Sequence, residues 1–224
     1  MGKNKLKRFS ENQTFDNVIQ PTREQLLTGF ERRAKWYEFF KNDNPIVLEL
    51  GCGKGEYTVA LAEKFPNKNF IGIDIKGARF WRGAKTAIEK GLKNVAFLRT
   101  QIELIDYAFA KNEVSEIWIT FPDPQIKLRR TKHRLTHPDF LQKYNQVLTD
   151  SGLIHLKTDS EFLHGYTHGI IQMKKHNVLI SNHNIYNPDN RELPEEITSI
   201  QTFYEQKFLE KNKNITYIRF SLNY

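Results

Sequence analysis

The stretch IVLELGCGKGEYTVALAEK, running from Ile46 to Lys64, decides the fold. Its first five residues form an apolar run of strand length, and a helix-like segment begins near residue 55. Gly51, Gly53 and Gly55 stand at the turn between them. Glycines at a strand-to-helix turn let the backbone approach a ligand closely and place helix N–H groups beside it. Outward from this unit the same alternation repeats. Apolar runs recur at 69–73, 95–98, 116–120 and 153–157, with helix-like segments near 77–91, 101–111, 137–149 and 160–176. Strand alternating with helix at this spacing means βαβ units and a parallel sheet, a doubly wound α/β fold. Further strands around 177–183 and 214–222 bring the sheet to seven. The last of these, within NITYIRFSLNY, alternates apolar and polar residues as a half-exposed edge strand does.

Upstream, residues 23–41 carry Leu26, Leu27, Phe30, Ala34, Tyr37 and Phe40 at helical spacing, so one amphipathic helix is expected there, stopped by Pro45. Residues 1–22 are polar, rich in Lys and Asn and without periodicity. They are expected to form a mobile basic arm ahead of a single domain spanning 23–224. With 224 residues, 39% hydrophobic and 12% aromatic, the chain has enough apolar material for a real core. The single cysteine, Cys52, excludes a disulfide framework, and no Cys/His spacing suggests a metal site. No apolar run approaches the roughly 20 residues of a membrane span. The start MGKNKLKRFSENQ has basic residues without an apolar stretch behind them, and Leu6 stands where a myristoylation motif wants Ser or Thr. A cytoplasmic protein is therefore expected. The net charge of +8 favours a polyanionic partner, since neutralising phosphates releases condensed counterions.

Two acids refine the reading of the glycine turn. Glu49 closes the first strand just ahead of the glycines, and Asp74 closes the second (FIGID, 70–74), about 20 residues on, where an acid can hold two ribose hydroxyls. The dinucleotide fingerprint is G-x-G-x-x-G with the helix dipole facing a pyrophosphate. Here the spacing is G-x-G-x-G, and an acid in Glu49's place would repel pyrophosphate but suits a ligand bearing an amino group. S-adenosylmethionine has an amino group, a sulfonium and a ribose but no phosphate. The pattern resembles motif I of the class I methyltransferases more than a nicotinamide site.

The fourth strand ends in Phe121-Pro122-Asp123-Pro124. Two prolines fix the backbone around Asp123 at the carboxyl ends of the strands, where ligands bind in such sheets. A rigid turn with a solvated Asp would look the same. Then come Lys127, Arg129, Arg130, Lys132 and Arg134, five cations within eight residues. Charge runs are usually solvated faces, but one next to the ligand crevice is a candidate for gripping phosphates. The fifth strand runs into Thr158-Asp159-Ser160, in which Asp159 is either a second carboxylate at the crevice or a helix N-cap. Thr202 and Glu205 have the spacing of a capping box.

Together these motifs resemble the bacterial tRNA (guanine-N7)-methyltransferases of the TrmB type, over residues 23 to the C-terminus. The resemblance rests on ELGCGKGEYTVALA, FIGIDIK, FPDP with Lys127 and the basic run, LKTDSE, and the stretch Thr202-Phe203-Tyr204-Glu205. It implies a Rossmann-like class I methyltransferase fold with helices on both faces and an antiparallel last strand. It also implies methyl transfer from S-adenosylmethionine to N7 of the guanine at position 46, in the variable loop of tRNA. On matching positions the cofactor ligands would be Glu49, Gly51, Gly53, Gly55, Asp74 and Gln101. Asp123 would stand at the reacting centre, touching cofactor as well. Lys127, Asp159 and Thr202, Phe203, Tyr204 and Glu205 would bind substrate, and Arg129, Arg130, Lys132 and Arg134 its phosphates, with the basic arm helping. The enzyme would act as a monomer or homodimer with no obligate protein subunit. Two departures stand out. Gln101 replaces an acid and can still accept from an adenine amino group, and Gln125 replaces a Trp.

The chemistry needs no strong base, because guanine N7 carries a lone pair and no proton at neutral pH. Two other readings remain: a class I methyltransferase for another base or protein amino group, and an inactive RNA-binding relative. FPDP in place of Asn-Pro-Pro-aromatic weighs against the first, and intact Glu49, Asp74, Asp123 and Asp159 weigh against the second.

Overall fold

A computed structural model describes residues 2–187 and 193–223. Its centre is an eight-stranded sheet, and its first element is a helix, α1 (Gly2–Asn12), followed by a two-residue strand β1 (Val18–Ile19). Helices α2 (Arg23–Gly29) and α3 (Trp36–Phe40) precede the alternating body of the fold. That body is β2 (Ile46–Leu50), α4 (Glu56–Lys64), β3 (Asn69–Ile73), α5 (Gly77–Glu89), β4 (Val95–Leu98), α6 (Ile105–Ala108) and β5 (Val114–Thr120). It continues with α7 (Pro138–Asn145), β6 (Leu148–Thr158), α8 (Glu161–Met173), β7 (Asn177–Asn182), α9 (Glu195–Ser199), α10 (Phe203–Leu209) and β8 (Thr216–Ser221). The strand order is β1-β4-β3-β2-β5-β6-β8-β7, parallel from β1 to β6, with β8 antiparallel to both its neighbours.

The order reverses at β2: the chain winds outward to β3 and β4 on one side, then returns to β5 and β6 on the other. Loops leaving the carboxyl ends of β2 and β5 thus diverge around a crevice. Alternation along β2 assigns its side chains. Leu48 and Leu50 join the core that holds Trp36, Phe109 and Tyr144, while Val47 joins the opposite core with Tyr57, Phe97 and Trp118. Glu49 shares Val47's face, opposite Gly72 and Trp118, and so enters the interior as a carboxylate.

Two local expectations change. The helix expected over 23–41 is interrupted: α2 ends at Gly29, whose φ is +133°, Phe30 is extended, and Ala34 sits at φ +65°. Trp36 decides this break. It is fully buried, stacks on Phe109 at 5.3 Å between ring centroids and donates its indole N–H to the Ala108 carbonyl. Burying that ring outweighs the modest preference for continuing a helix. Secondly, the sheet has eight strands where seven were expected, because Val18 and Ile19 pair with Phe97 and Leu98 of β4. A two-residue strand leaves no periodic trace in sequence. The segment carrying it is anchored by side chains: Asn12 Nδ2 donates to the Gly77 carbonyl, Asn17 Nδ2 to that of Ala84, and Trp81 Nε1 to Glu11. A Cβ on Gly77 would lie 3.2 Å from the Phe9 ring, so this glycine lets α1 settle closely on α5.

Candidate active site

A cavity of about 510 Å³ opens at the carboxyl ends of β2 and β5. Its walls include Glu49, Gly51, Gly53, Asp123, Asp159 and Tyr204.

The floor is the glycine turn. Gly51 N–H and Cys52 N–H both donate to the Ile73 carbonyl, and Gly55 N–H to that of Cys52, closing a turn in which all three glycines have positive φ. Their roles differ. A Cβ on Gly51 would meet nothing within 4 Å and one on Gly53 only the Gly51 carbonyl, so both face open space a ligand can fill. A Cβ on Gly55 would strike Phe97 at 2.5 Å and Gly83 at 3.2 Å, so that glycine serves the packing of α4 on α5 and β4.

Glu49 is 3% exposed. Oε2 accepts from the Thr58 backbone N–H (2.8 Å) and from its hydroxyl, while Oε1 accepts from the Thr120 hydroxyl at 2.6 Å. Burial pushes its carboxyl up from 4.5 to about 7, against these hydrogen bonds, which favour the ionised form. A buried carboxylate so held matches a cationic ligand group, which would supply the missing counter-charge. Burial pushes the Cys52 thiol well above its usual range, reinforced by Glu49 and Asp74, so it is no nucleophile.

Asp74 follows β3 and meets the glycine turn at Gly53. Its Oδ2 accepts from Gly53 N–H (3.1 Å) and Oδ1 from Lys76 N–H (2.8 Å), leaving lone pairs for hydroxyl donors. Gln101, at the end of β4, lines a separate depression with Ile75, Arg99 and Thr100. Glu49, Asp74 and Gln101 thus present side-chain oxygens as acceptors at the ends of β2, β3 and β4, three neighbouring strands.

Opposite the glycine turn, Asp123 projects from a taut loop: Phe121 has φ +46° and Gln125 φ +47°, and Asp123 Oδ1 accepts from the Gln125 N–H at 3.1 Å. Strained non-glycine backbone held by two prolines fixes an exposed carboxylate at the cavity mouth. The cation run forms a short 3₁₀ turn, Leu128–His133. Lys127, Arg129, Arg130 and Lys132 are exposed, and the first three border a shallow depression shared with Asp123. Arg134 departs from the expectation of a phosphate ligand. It is 5% exposed, donates through Nε and Nη2 to the Gln125 carbonyl, and lies over the rings of Phe162 and Tyr166. Its cation braces the loop from beneath. Gln125 also accepts from Arg130 Nε, so its amide ties the loop to the 3₁₀ turn.

On the remaining wall, Asp159 accepts from Lys213 Nζ at 2.6 Å, and the N-cap of α8 is Ser160 rather than Asp159. Thr202 caps α10 in the expected capping box, and its partner Glu205 is fully buried. The Glu205 carboxylate is 2.7 Å from Lys157 Nζ and accepts from the Tyr186 hydroxyl, also at 2.7 Å. Lys157 Nζ also donates to the Ile200 carbonyl. Burial lowers the Lys157 pKa while Glu205 opposes the change. Glu205 therefore anchors α10 rather than facing the cavity, whereas Phe203 and Tyr204 are half-exposed at the rim. Lys54 Nζ sits 3.7 Å from the Phe203 ring, and Phe203 N–H donates to Glu56, latching α10 to the glycine turn. Sequence reading missed Thr58, Thr120, Lys157, Arg79 and Lys213. Thr58, Thr120, Lys157 and Lys213 are unremarkable in sequence and take their roles from a carboxylate that only the folded chain brings to them, while Arg79 reaches the cavity through the packing of α5.

A family model described as "Putative methyltransferase" matches residues 43–218. A tRNA (guanine-N(7)-)-methyltransferase of Christiangramia forsetii is 68% identical over 222 residues, 98% of each chain. One of the same name from Bacteroides fragilis is 50% identical, covering 99% of this chain and 87% of that one. Among solved structures, the 16S rRNA methyltransferase KamB shares the fold, with a TM-score of 0.65 over 85% of this chain and 94% of that chain at 14% identity.

Proposed function

The chain belongs to the tRNA (guanine-N7)-methyltransferase family, and on that premise we propose that it transfers a methyl group from S-adenosylmethionine to N7 of the guanine at position 46 of tRNA. The observation that carries this reading is the pairing of a buried Glu49 and an exposed Asp123 on one cavity whose floor, at Gly51 and Gly53, is open backbone.

When bound, S-adenosylmethionine supplies a methyl carbon made electrophilic by its sulfonium. Glu49, ionised, holds the amino group; Asp74 takes ribose hydroxyls; the carbonyl of the Gln101 side chain accepts from the adenine amino group. Gly51 and Gly53 allow the close approach that any Cβ would prevent. With the donor fixed, the remaining task is alignment of N7 with the methyl carbon, since N7 needs no deprotonation. Asp123 accepts from the guanine N1–H and N2 amino group and stabilises the positive charge that alkylation places on the purine. Adenine offers neither donor pair in that place, so the same contact selects guanine. Asp159, held by Lys213, and Tyr204 at the rim complete the base-binding wall, while Lys127, Arg129, Arg130 and Lys132 grip flanking phosphates.

The test is methyl transfer from labelled S-adenosylmethionine to unmodified tRNA transcripts, followed by reduction and aniline scission, which breaks the chain at 7-methylguanosine. A single break in the variable loop is expected. Label transferred elsewhere, or to protein, would replace this substrate by another acceptor. Binding of tRNA without cofactor binding would make the chain an RNA-binding relative.

A further inference from the structure

We infer that the face built by α1 and α5 is a second phosphate track, gripping the backbone of the substrate tRNA on the side of the cavity opposite the Lys127–Lys132 run. The inference rests on the tRNA reading above, but concerns a different surface. In the sheet, β3 and β5 flank β2. The basic run follows β5, whereas α5 follows β3, so the two cation groups bracket the cavity from opposite sides. Arg79 of α5 itself lines the cavity, and Arg82 and Lys85 continue the line along the helix away from it. Lys5 and Arg8 lie on α1, which is docked against α5, and Arg99 leaves the adjacent β4.

Three features mark this face as built for an external polyanion. First, none of these six cations has a carboxylate within salt-bridge distance among the described residues, whereas Lys64, Lys68, Lys90, Lys143 and Lys213 all do. The side chains of Arg79 and Arg82 carry no hydrogen bond or ion pair there either. Like charges gathered in excess of their counter-charge repel, which is tolerable when a polyanion neutralises them. Second, several are held in place. The Arg8 guanidinium lies 4.8 Å and the Lys85 ammonium 5.3 Å from the Trp81 ring, and Arg99 lies 4.9 Å from the Phe9 ring. Cations pre-positioned on aromatic faces lose less freedom on binding. Third, counter-charge is sparse: the one acid of α1, Glu11, is half-buried, accepts from Trp81 Nε1 and lies 3.9 Å from Lys7, so it leaves Lys5 and Arg8 unbalanced. A nucleotide chain that delivers its base to the cavity must leave it on both sides, so both tracks meet phosphates.

The test is the variant Lys5→Gln/Arg82→Gln, with Lys111→Gln/Lys174→Gln as a control removing equal charge at the opposite, amino-terminal rim of the sheet. Dissociation constants for unmodified tRNA and KM in methyl transfer are measured across about 50–300 mM KCl. For the first variant, binding weakens about tenfold near physiological salt and the log–log salt slope falls by about two, while S-adenosylmethionine affinity holds. The control leaves the slope in place. Equal tRNA affinity and slope in wild type and variant would overturn the track, as would an equal effect of the control pair, which would reduce it to net charge. Binding is read independently of turnover. A wild type that binds tRNA but methylates none would therefore refute the proposed activity alone, while the variant's tRNA affinity still decides the track.

Discussion

Replacing Glu49 by Gln should make the protein more stable and less able to bind its cofactor, and both effects should follow pH. The Glu49 carboxyl ionises near 4.5 in the unfolded chain and near 7 when folded, because burial disfavours its charge more than Thr58 and Thr120 favour it. Between those values the folded state holds a proton that the unfolded state has released, so stability falls as pH rises through this window and levels off above 7. The displacement is on the order of 3 kcal/mol. Gln is isosteric: its carbonyl can accept from Thr58, and its amide can donate to Thr120 with the hydroxyl reversed. The two proteins should thus be nearly equally stable at pH 5, the variant gaining up to roughly 3 kcal/mol by pH 8, some 6–12 °C in Tm for a domain of this size. Denaturant melts of both proteins at half-unit pH steps measure the difference, in which other titrating groups cancel. Calorimetric titration with S-adenosylmethionine at pH 8 should show affinity lower by about tenfold or more, the value of one charge-assisted hydrogen bond. A stability difference that does not change with pH would refute the buried-charge argument. Unchanged cofactor affinity would refute the assignment of Glu49 to the amino group.

Other substitutions test other parts of the site. Asp123→Ala should lower kcat about 100-fold or more with little change in cofactor affinity, because its exposed carboxylate acts on the base; a loss confined to cofactor binding, by single-turnover kinetics and titration, would contradict that role. Lys157→Met strips the buried Glu205 of its counter-ion and should cost about 3–5 kcal/mol in urea denaturation, with partial recovery in Lys157→Met/Glu205→Gln. Gly55→Ala should cost about 3 kcal/mol, combining a left-handed φ with a Cβ driven 2.5 Å from the buried Phe97 ring. Gly51→Ala, whose Cβ meets open space, should cost only about 1–2 kcal/mol from its φ and should instead weaken S-adenosylmethionine binding, read in the same pair of assays.

Much of this molecule was legible before any coordinates. The apolar runs at Ile46–Leu50, Asn69–Ile73 and Val95–Leu98 coincide with strands residue for residue, because strands buried on both faces are written as short continuous apolar stretches. The glycine turn, the FPDP corner and the Thr202–Glu205 capping box were equally visible, since each is a local device whose geometry is set by residues a few positions apart. They placed Glu49, Asp74 and Asp123 at the carboxyl edge of the sheet through the doubly wound topology alone.

The tertiary structure decided everything that depends on a distant partner. Charge and composition made Arg134 look like its neighbours Arg129 and Arg130, but the rings of Phe162 and Tyr166 draw it under the loop. Glu205 has the sequence context of a rim residue, yet Lys157, 48 positions earlier, holds it in the interior. Helix propensity carried residues 23–41 as one element until Trp36 found Phe109. Sequence by itself determined the fold and the chemical character of the cavity, because periodicity and turn chemistry are short-range. Which ionisable groups are buried, and therefore which act on ligands and which hold the walls, was set by long-range packing, where burial changes the energy of a charge by more than local preference can.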